Sequence, residues 1–139
     1  MKPNKRLSVL YAEDNEDSGL MLIILLGFSG IDVHWVRSVK EALQLARKRC
    51  FDLFLLDSTL PDASGYELCR QLRVFFPQVP IVFYSGEARA CDRQKGLGSG
   101  ADAYLVKPEV DTIVPTIFQI VQTKPSFGQK LDQLSPVIL

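Results

Sequence analysis

At 139 residues and 15.6 kDa, 47% hydrophobic and 23% charged, the chain has the size of one globular domain, and such a domain buries about two-thirds of its unfolded surface without needing disulfides or a structural metal. Its 16 basic and 16 acidic residues give a formal charge of zero, which argues against a dominant nucleic-acid or anionic-membrane surface. The longest apolar run, Leu20 to Leu26, is far below the roughly 20 residues that span a bilayer.

Cys50, Cys69 and Cys91 lack C-x-x-C spacing and sit within periodic segments, so they read as reduced, small apolar side chains. The segment Met1 to Arg6 has the charge of a secretory leader, but Leu7 to Ala12 runs into Glu13-Asp14 with no small-residue cleavage site. A cytoplasmic protein is expected.

In chain order, the first apolar run, Leu7 to Ala12, is of strand length and is followed by helical spacing over Ser18 to Ser29. Ile31 to Val36 precedes a helix over Val39 to Arg49, and Phe51 to Leu56 precedes one over Gly65 to Phe75. Pro80 to Tyr84 leads into a weaker helical segment, Ala88 to Leu97; Ala103 to Val106 leads into Val110 to Gln122. Strands that are apolar along their whole length, alternating with helices, describe a parallel sheet covered on both faces. Right-handed crossovers then limit the topology to a doubly wound α/β sandwich.

Gly30 and Gly100 stand where helix C-terminal glycines belong. Gly96 and Gly98 each cost about 1 kcal/mol of helix stability relative to Ala, so the fourth helix is expected to be short or mobile. His34 reads as a packed or rim residue and Trp35 as core. The organisation expected is one domain over residues 1–122 with a short tail at 123–139. Met1 favours a complete chain with no output domain attached.

Four apolar runs end in a polar residue: Glu13-Asp14 after the first, Asp57 after the third, Ser85 after the fourth and Lys107-Pro108 after the fifth. In an open parallel sheet the ligand crevice lies outside the carboxyl ends of the strands, so all four converge on it. Close carboxylates repel by about 4 kcal/mol per pair at an effective dielectric of about 20. Either their pKa values rise or a divalent cation joins them, and hard oxygens with room for water suit Mg2+. Lys107 and the Ser85 hydroxyl complete the set that phosphoryl transfer needs, with Asp57 as the nucleophile that would form an acyl phosphate.

With these motifs the sequence resembles the receiver domains of two-component response regulators, from about Arg6 to Gln122. The residues that carry the resemblance are Glu13-Asp14, the stretch from Asp57 through Pro61 to Gly65, Ser85-Gly86, and Gly100 to Pro108. It implies a five-stranded sheet of order 2-1-3-4-5 flanked by five helices, the flavodoxin-like or CheY-like arrangement. It also implies Asp57 as phosphoacceptor, Asp14 as a direct Mg2+ ligand, Glu13 as a ligand through water, and the Thr59 carbonyl as a third protein ligand. Ser85 and Lys107 would hold the phosphoryl group, and Tyr104 would be the switch aromatic that turns inward when Ser85 moves. The implied partners are a histidine kinase or histidine phosphotransfer domain and a separate downstream effector protein.

The chain departs from that pattern at Ala63-Ser64, which alters the loop after Asp57, and at Glu109, where the fifth helix is expected to start differently. By the same resemblance Thr59, two residues beyond Asp57, would lie beside the path of attacking water. If Met21, Leu22, Leu25 and Leu26 face the sheet, then Leu20, Ile23 and Ile24 point outward and form a docking face for a kinase, a phosphotransfer domain or a second copy of the chain.

The leading reading is a stand-alone receiver that catalyses its own phosphorylation and dephosphorylation, rather than a metabolic enzyme. The alternative is a phosphorylation-independent interaction module on the same fold. A haloacid dehalogenase type of phosphohydrolase would need an acid where Thr59 stands, and dinucleotide binding through Gly96 to Gly100 would need those glycines after a first strand.

Overall fold

A computed structural model describes residues 6–124. Within them five strands and five helices alternate: β1 (Leu7–Ala12), α1 (Glu16–Phe28), β2 (Ile31–Val36), α2 (Val39–Lys48), β3 (Leu53–Leu56), α3 (Gly65–Phe75), β4 (Ile81–Ser85), α4 (Ala90–Gly98), β5 (Ala103–Val106) and α5 (Val110–Thr123). The strands form one parallel sheet in the order β2-β1-β3-β4-β5, as expected. No described helix is long and apolar enough to cross a membrane. The tail expected at 123–139 lies, from residue 125 onward, outside the described residues.

Alternation along the strands sorts the core into two layers. Leu10, Ala12, Phe54, Leu56 and Phe83 pack with Ala42, Ala46, Leu68 and Leu72 of α2 and α3. Val9, Tyr11, Leu53, Leu55, Val82 and Tyr84 face the other way, onto Leu22 and Leu26 of α1 and Ile113, Ile117 and Val121 of α5. Every residue of β3 and β4 is buried, which is why these strands read as unbroken apolar runs.

The element boundaries differ from expectation mainly at caps. Asn15 accepts from the Ser18 amide at 2.9 Å, so α1 starts at Glu16, two residues before the expected Ser18. Residues Phe51 and Asp52 precede β3 rather than belonging to it, and Ser85 closes β4. Gly30 and Gly100 adopt φ of +79° and +116°, the left-handed turn expected of glycine after a helix.

Three local expectations need correction or refinement. All three cysteines are free, as expected; Cys69 is buried, whereas Cys50, past the end of α2, and Cys91, on the outer side of α4, are exposed. On α1, Met21 is exposed rather than facing the sheet, and Ile23 is half-buried rather than outward. Leu22 and Leu26 define the buried stripe, and the exposed apolar residues are Leu20, Met21, Ile24 (61%) and Phe28 (87%). Helix α4 is short, at nine residues, as Gly96 and Gly98 suggested.

Candidate functional site

The carboxyl ends of β1, β3, β4 and β5 meet at one edge of the sheet. Pairing sets their heights: Ala12 lies opposite Leu56 and Ser85 opposite Val106. The next residues therefore emerge together. Glu13, Asp14 and Asp57 each bring a carboxylate oxygen within 4.8 Å of the others. The Lys107 ammonium bonds to Glu13 Oε1 and lies 3.6 Å from Asp57 Oδ2.

The three carboxylates sit in different surroundings. Glu13 is fully buried and accepts from the Tyr11 hydroxyl at 3.0 Å and from the Asn15 amide at 3.1 Å. Burial opposes its ionisation, but the bonds from Lys107 and Asn15 hold its pKa below the ordinary carboxylate value. Asp57 is also buried and accepts the Ser58 amide at 2.8 Å. Burial first, and the neighbouring Glu13 charge second, push its pKa up to about 7, against the attraction of Lys107. Asp14 is exposed at the rim. Tyr11, hydrogen-bonded to Glu13 beneath the site, is pushed far above its ordinary pKa by burial and then by Glu13.

The donor set fits a small divalent cation. Hard oxygens converge from two loops, one carboxylate is open to water, and a bound cation would offset the burial and the Glu13 charge that raise the Asp57 pKa. Thr59 lies two residues beyond Asp57 in the β3–α3 loop and is bridged to Ser64. That loop lies close against Asp57. The Gly65 amide donates to the Ser58 carbonyl at 2.8 Å, and a Cβ on Gly65 would stand 1.9 Å from the Asp57 carbonyl oxygen. The departure at Ala63-Ser64 leaves Ser64 as the N-cap of α3, accepting from the Glu67 amide at 3.1 Å.

Ser85 is fully buried, and its hydroxyl bonds to Ser58 Oγ at 2.6 Å and accepts the Glu87 amide at 3.0 Å. Tyr104 is 2% exposed and turned inward, its ring 5.6 Å from that of Phe83 and its hydroxyl donating to the Glu87 carbonyl at 2.7 Å. Glu87 thus touches both Ser85 and Tyr104, and its side chain accepts from Tyr66 at 3.1 Å. The inward ring has a seat in α4. A Cβ on Gly96 would lie 2.6 Å from Tyr104, so a helix-weakening glycine stands where the aromatic needs room. Glu109 turns back to accept the Val106 amide at 2.7 Å instead of capping α5, which begins without a side-chain cap.

Sequence reasoning missed Ser58, Glu87, Trp35 and Arg37 as members of this neighbourhood. Ser58 had a signal: it is a polar residue beside Asp57 at the mouth of a buried strand. Glu87 acts mainly through its backbone, which no residue type announces.

Comparison with known proteins agrees with this geometry. The model of the response regulator receiver domain matches residues 9–118. Transcriptional regulatory protein CreB of Escherichia coli (strain K12) is 36% identical over 138 residues, 96% of this chain and 57% of that protein. Cell cycle response regulator CtrA of Brucella ovis is 33% identical over 126 residues, 90% of this chain and 54% of that protein. The chain thus spans about half the length of these curated relatives. A CheY-like receiver domain protein from Methanospirillum hungatei JF-1 superposes with a TM-score of 0.81 at 25% identity, covering 86% of this chain and 97% of that one. Chemotaxis response regulator CheY4 of Vibrio cholerae gives 0.77 at 27% identity, covering 84% and 99%. The motifs at the strand ends, the sheet order and the matched residues have one common explanation: the chain belongs to the response regulator receiver family.

Proposed function

We propose that this receiver takes a phosphoryl group onto Asp57 from a phosphohistidine of a histidine kinase or phosphotransfer domain, in a Mg2+-dependent reaction. The observation that carries the reading is the convergence of three carboxylates with Lys107, which bonds Glu13 and faces Asp57. Glu13, Asp14, Asp57 and the Thr59 carbonyl would hold the ion, which when bound supplies charge neutralisation for the phosphoryl oxygens.

The chain's own groups account for the rest. An Asp57 oxygen attacks phosphorus, forming a P–O bond as the P–N bond of the donor breaks, and the product is an acyl phosphate that water later cleaves. Attack needs the ionised carboxylate, and Lys107 at 3.6 Å favours that form. Lys107 and Ser85 would then face the phosphoryl oxygens. To do so, Ser85 must exchange its bond to Ser58, and the change passes to the Glu87 segment that anchors the inward Tyr104. Signalling follows as altered affinity for an effector protein, with residues 1–122 as the receiver unit. The exposed Leu20, Ile24 and neighbouring half-buried Ile23 of α1 are the proposed docking face for the phosphodonor protein or a second copy.

The test is intact mass after incubation with Mg2+ and acetyl phosphate or phosphoramidate. One added phosphate is expected in the wild type and none in Asp57→Asn. An unmodified wild type would favour a phosphorylation-independent interaction module.

A further inference from the structure

The loop that presents Glu13 and Asp14 leaves the sheet after β1, so its carbonyls lose the strand ladder that satisfied those before them. The last ladder-like bond is from the Glu13 amide to the Val36 carbonyl, at 2.9 Å. Beyond it, side chains from the end of β2 take over. Trp35 Nε1 donates to the Glu13 carbonyl at 2.7 Å, and Arg37 Nη2 donates to the Asp14 carbonyl at 2.8 Å.

The two donors support each other. Arg37 lies 5.2 Å from the centroid of the Trp35 ring, a cation–π distance. The indole lies flat enough on α1 that a Cβ on Gly19 would fall 2.1 Å from it, so the glycine in that buried position lets the ring reach the loop. Consecutive carbonyls of the acidic pair are thus fixed from one strand end, while Asn15 holds the Glu13 carboxylate from the other side at 3.1 Å.

We infer that Trp35 and Arg37 are positioning residues for the acidic pair: by clamping the Glu13 and Asp14 carbonyls they set the backbone from which both carboxylates reach a divalent cation, and so set its affinity. This rests on the reading that the acid trio binds Mg2+. Charge works against half of it, because a guanidinium near the site repels a dication. Removing Arg37 tightens Mg2+ binding if its charge dominates and weakens it if its grip on the loop dominates, so the sign discriminates.

The experiment is calorimetric titration of the full chain with MgCl2, paired with thermal unfolding in the absence of metal. Trp35→Phe keeps an aromatic ring but loses the N–H and part of the indole's bulk, which the unfolding arm registers; about a fivefold weaker Mg2+ affinity is expected, the scale of one hydrogen bond. Arg37→Met should also weaken binding, and Arg37→Lys, which keeps a donor and the charge, should lie closer to wild type. Arg37 is exposed, so its variants test the idea even if Trp35→Phe folds poorly. Unchanged or tighter binding in Trp35→Phe and Arg37→Met, or lost stability with unchanged affinity, overturns the inference alone. A wild type that binds no Mg2+ overturns the reading of the acid trio and the inference with it.

Discussion

The hydroxyls of Ser58 and Ser85 lie 2.6 Å apart, joining the residue after Asp57 to the last residue of β4 in a buried hydrogen bond. A phosphoryl group on Asp57 would compete with Ser58 for the Ser85 hydroxyl. Ser58→Ala removes the competitor. It should bind beryllofluoride, a phosphoryl mimic, about 2–10 times more tightly in the presence of Mg2+, and lose about 1 kcal/mol of stability, because one net hydrogen bond is at stake. Fluorescence titration and urea unfolding check the two arms; equal affinity in wild type and variant would show that Ser85 is not held back.

Asp57 makes stability depend on pH in a defined direction. Its folded pKa, about 7, lies above its ordinary value of 3.8, so the unfolded chain ionises first. Its contribution is therefore whole below about pH 4 and is lost as pH rises through about 7. Asparagine resembles the protonated acid and cannot ionise. Without divalent cation, Asp57→Asn should be more stable than wild type by about 1–3 kcal/mol at pH 8, with the gap closing toward pH 4. Urea midpoints at pH 5, 7 and 8 measure this, and a gap constant across them would contradict the buried, crowded carboxylate.

Two glycines of α4 should respond oppositely to alanine. At Gly98 a Cβ meets nothing within 4 Å, so Gly98→Ala should stabilise by about 0.5–1 kcal/mol through helix propensity. At Gly96 the same gain is opposed by a 2.6 Å approach to Tyr104 and 3.2 Å to Phe83. Overpacking costs about 1–3 kcal/mol, which outweighs the propensity. Gly96→Ala should therefore destabilise, and its near-ultraviolet circular dichroism should change as Tyr104 leaves its seat. Thermal unfolding of both variants tests the contrast.

The apolar face of α1 yields a solubility and binding prediction. Leu20 and Ile24 are neighbours one turn apart on the exposed side, so converting both to Lys should leave the melting temperature within about 2 °C, as surface changes usually do. Affinity for the phosphodonor protein, or self-association in sedimentation, should fall. If both persist unchanged, that face is not a docking surface.

Much of the fold could be read directly, because burial on both faces leaves a pattern that needs no partner to interpret. Leu53 to Leu56 and Ile81 to Ser85 are buried throughout, and their apolar runs announced a covered parallel sheet. The position of Asp57 was legible for a similar reason: a charged residue directly after such a run can only emerge at the sheet edge. Helix α1 was harder. Its apolar residues run almost all the way round, so periodicity did not single out Leu22 and Leu26, and Met21 was assigned to the wrong side. That Cys69 is buried while Cys50 and Cys91 are exposed was not legible, because residue type alone does not show which way a helix is rotated.

The order of residue types along the chain determined the alternating architecture, the convergence of Glu13, Asp14, Asp57, Ser85 and Lys107 at one edge, and the family resemblance, since each depends on local periodicity and strand polarity. Only the tertiary structure decided that Trp35 and Arg37 grip the acidic loop, that Ser58 holds Ser85, and that Gly96 makes room for an inward Tyr104. Those relationships join residues far apart in sequence through backbone carbonyls, a hydroxyl and a missing Cβ. Such groups gain their roles from what packing brings within about 3 Å of them, a distance that no spacing along the chain encodes.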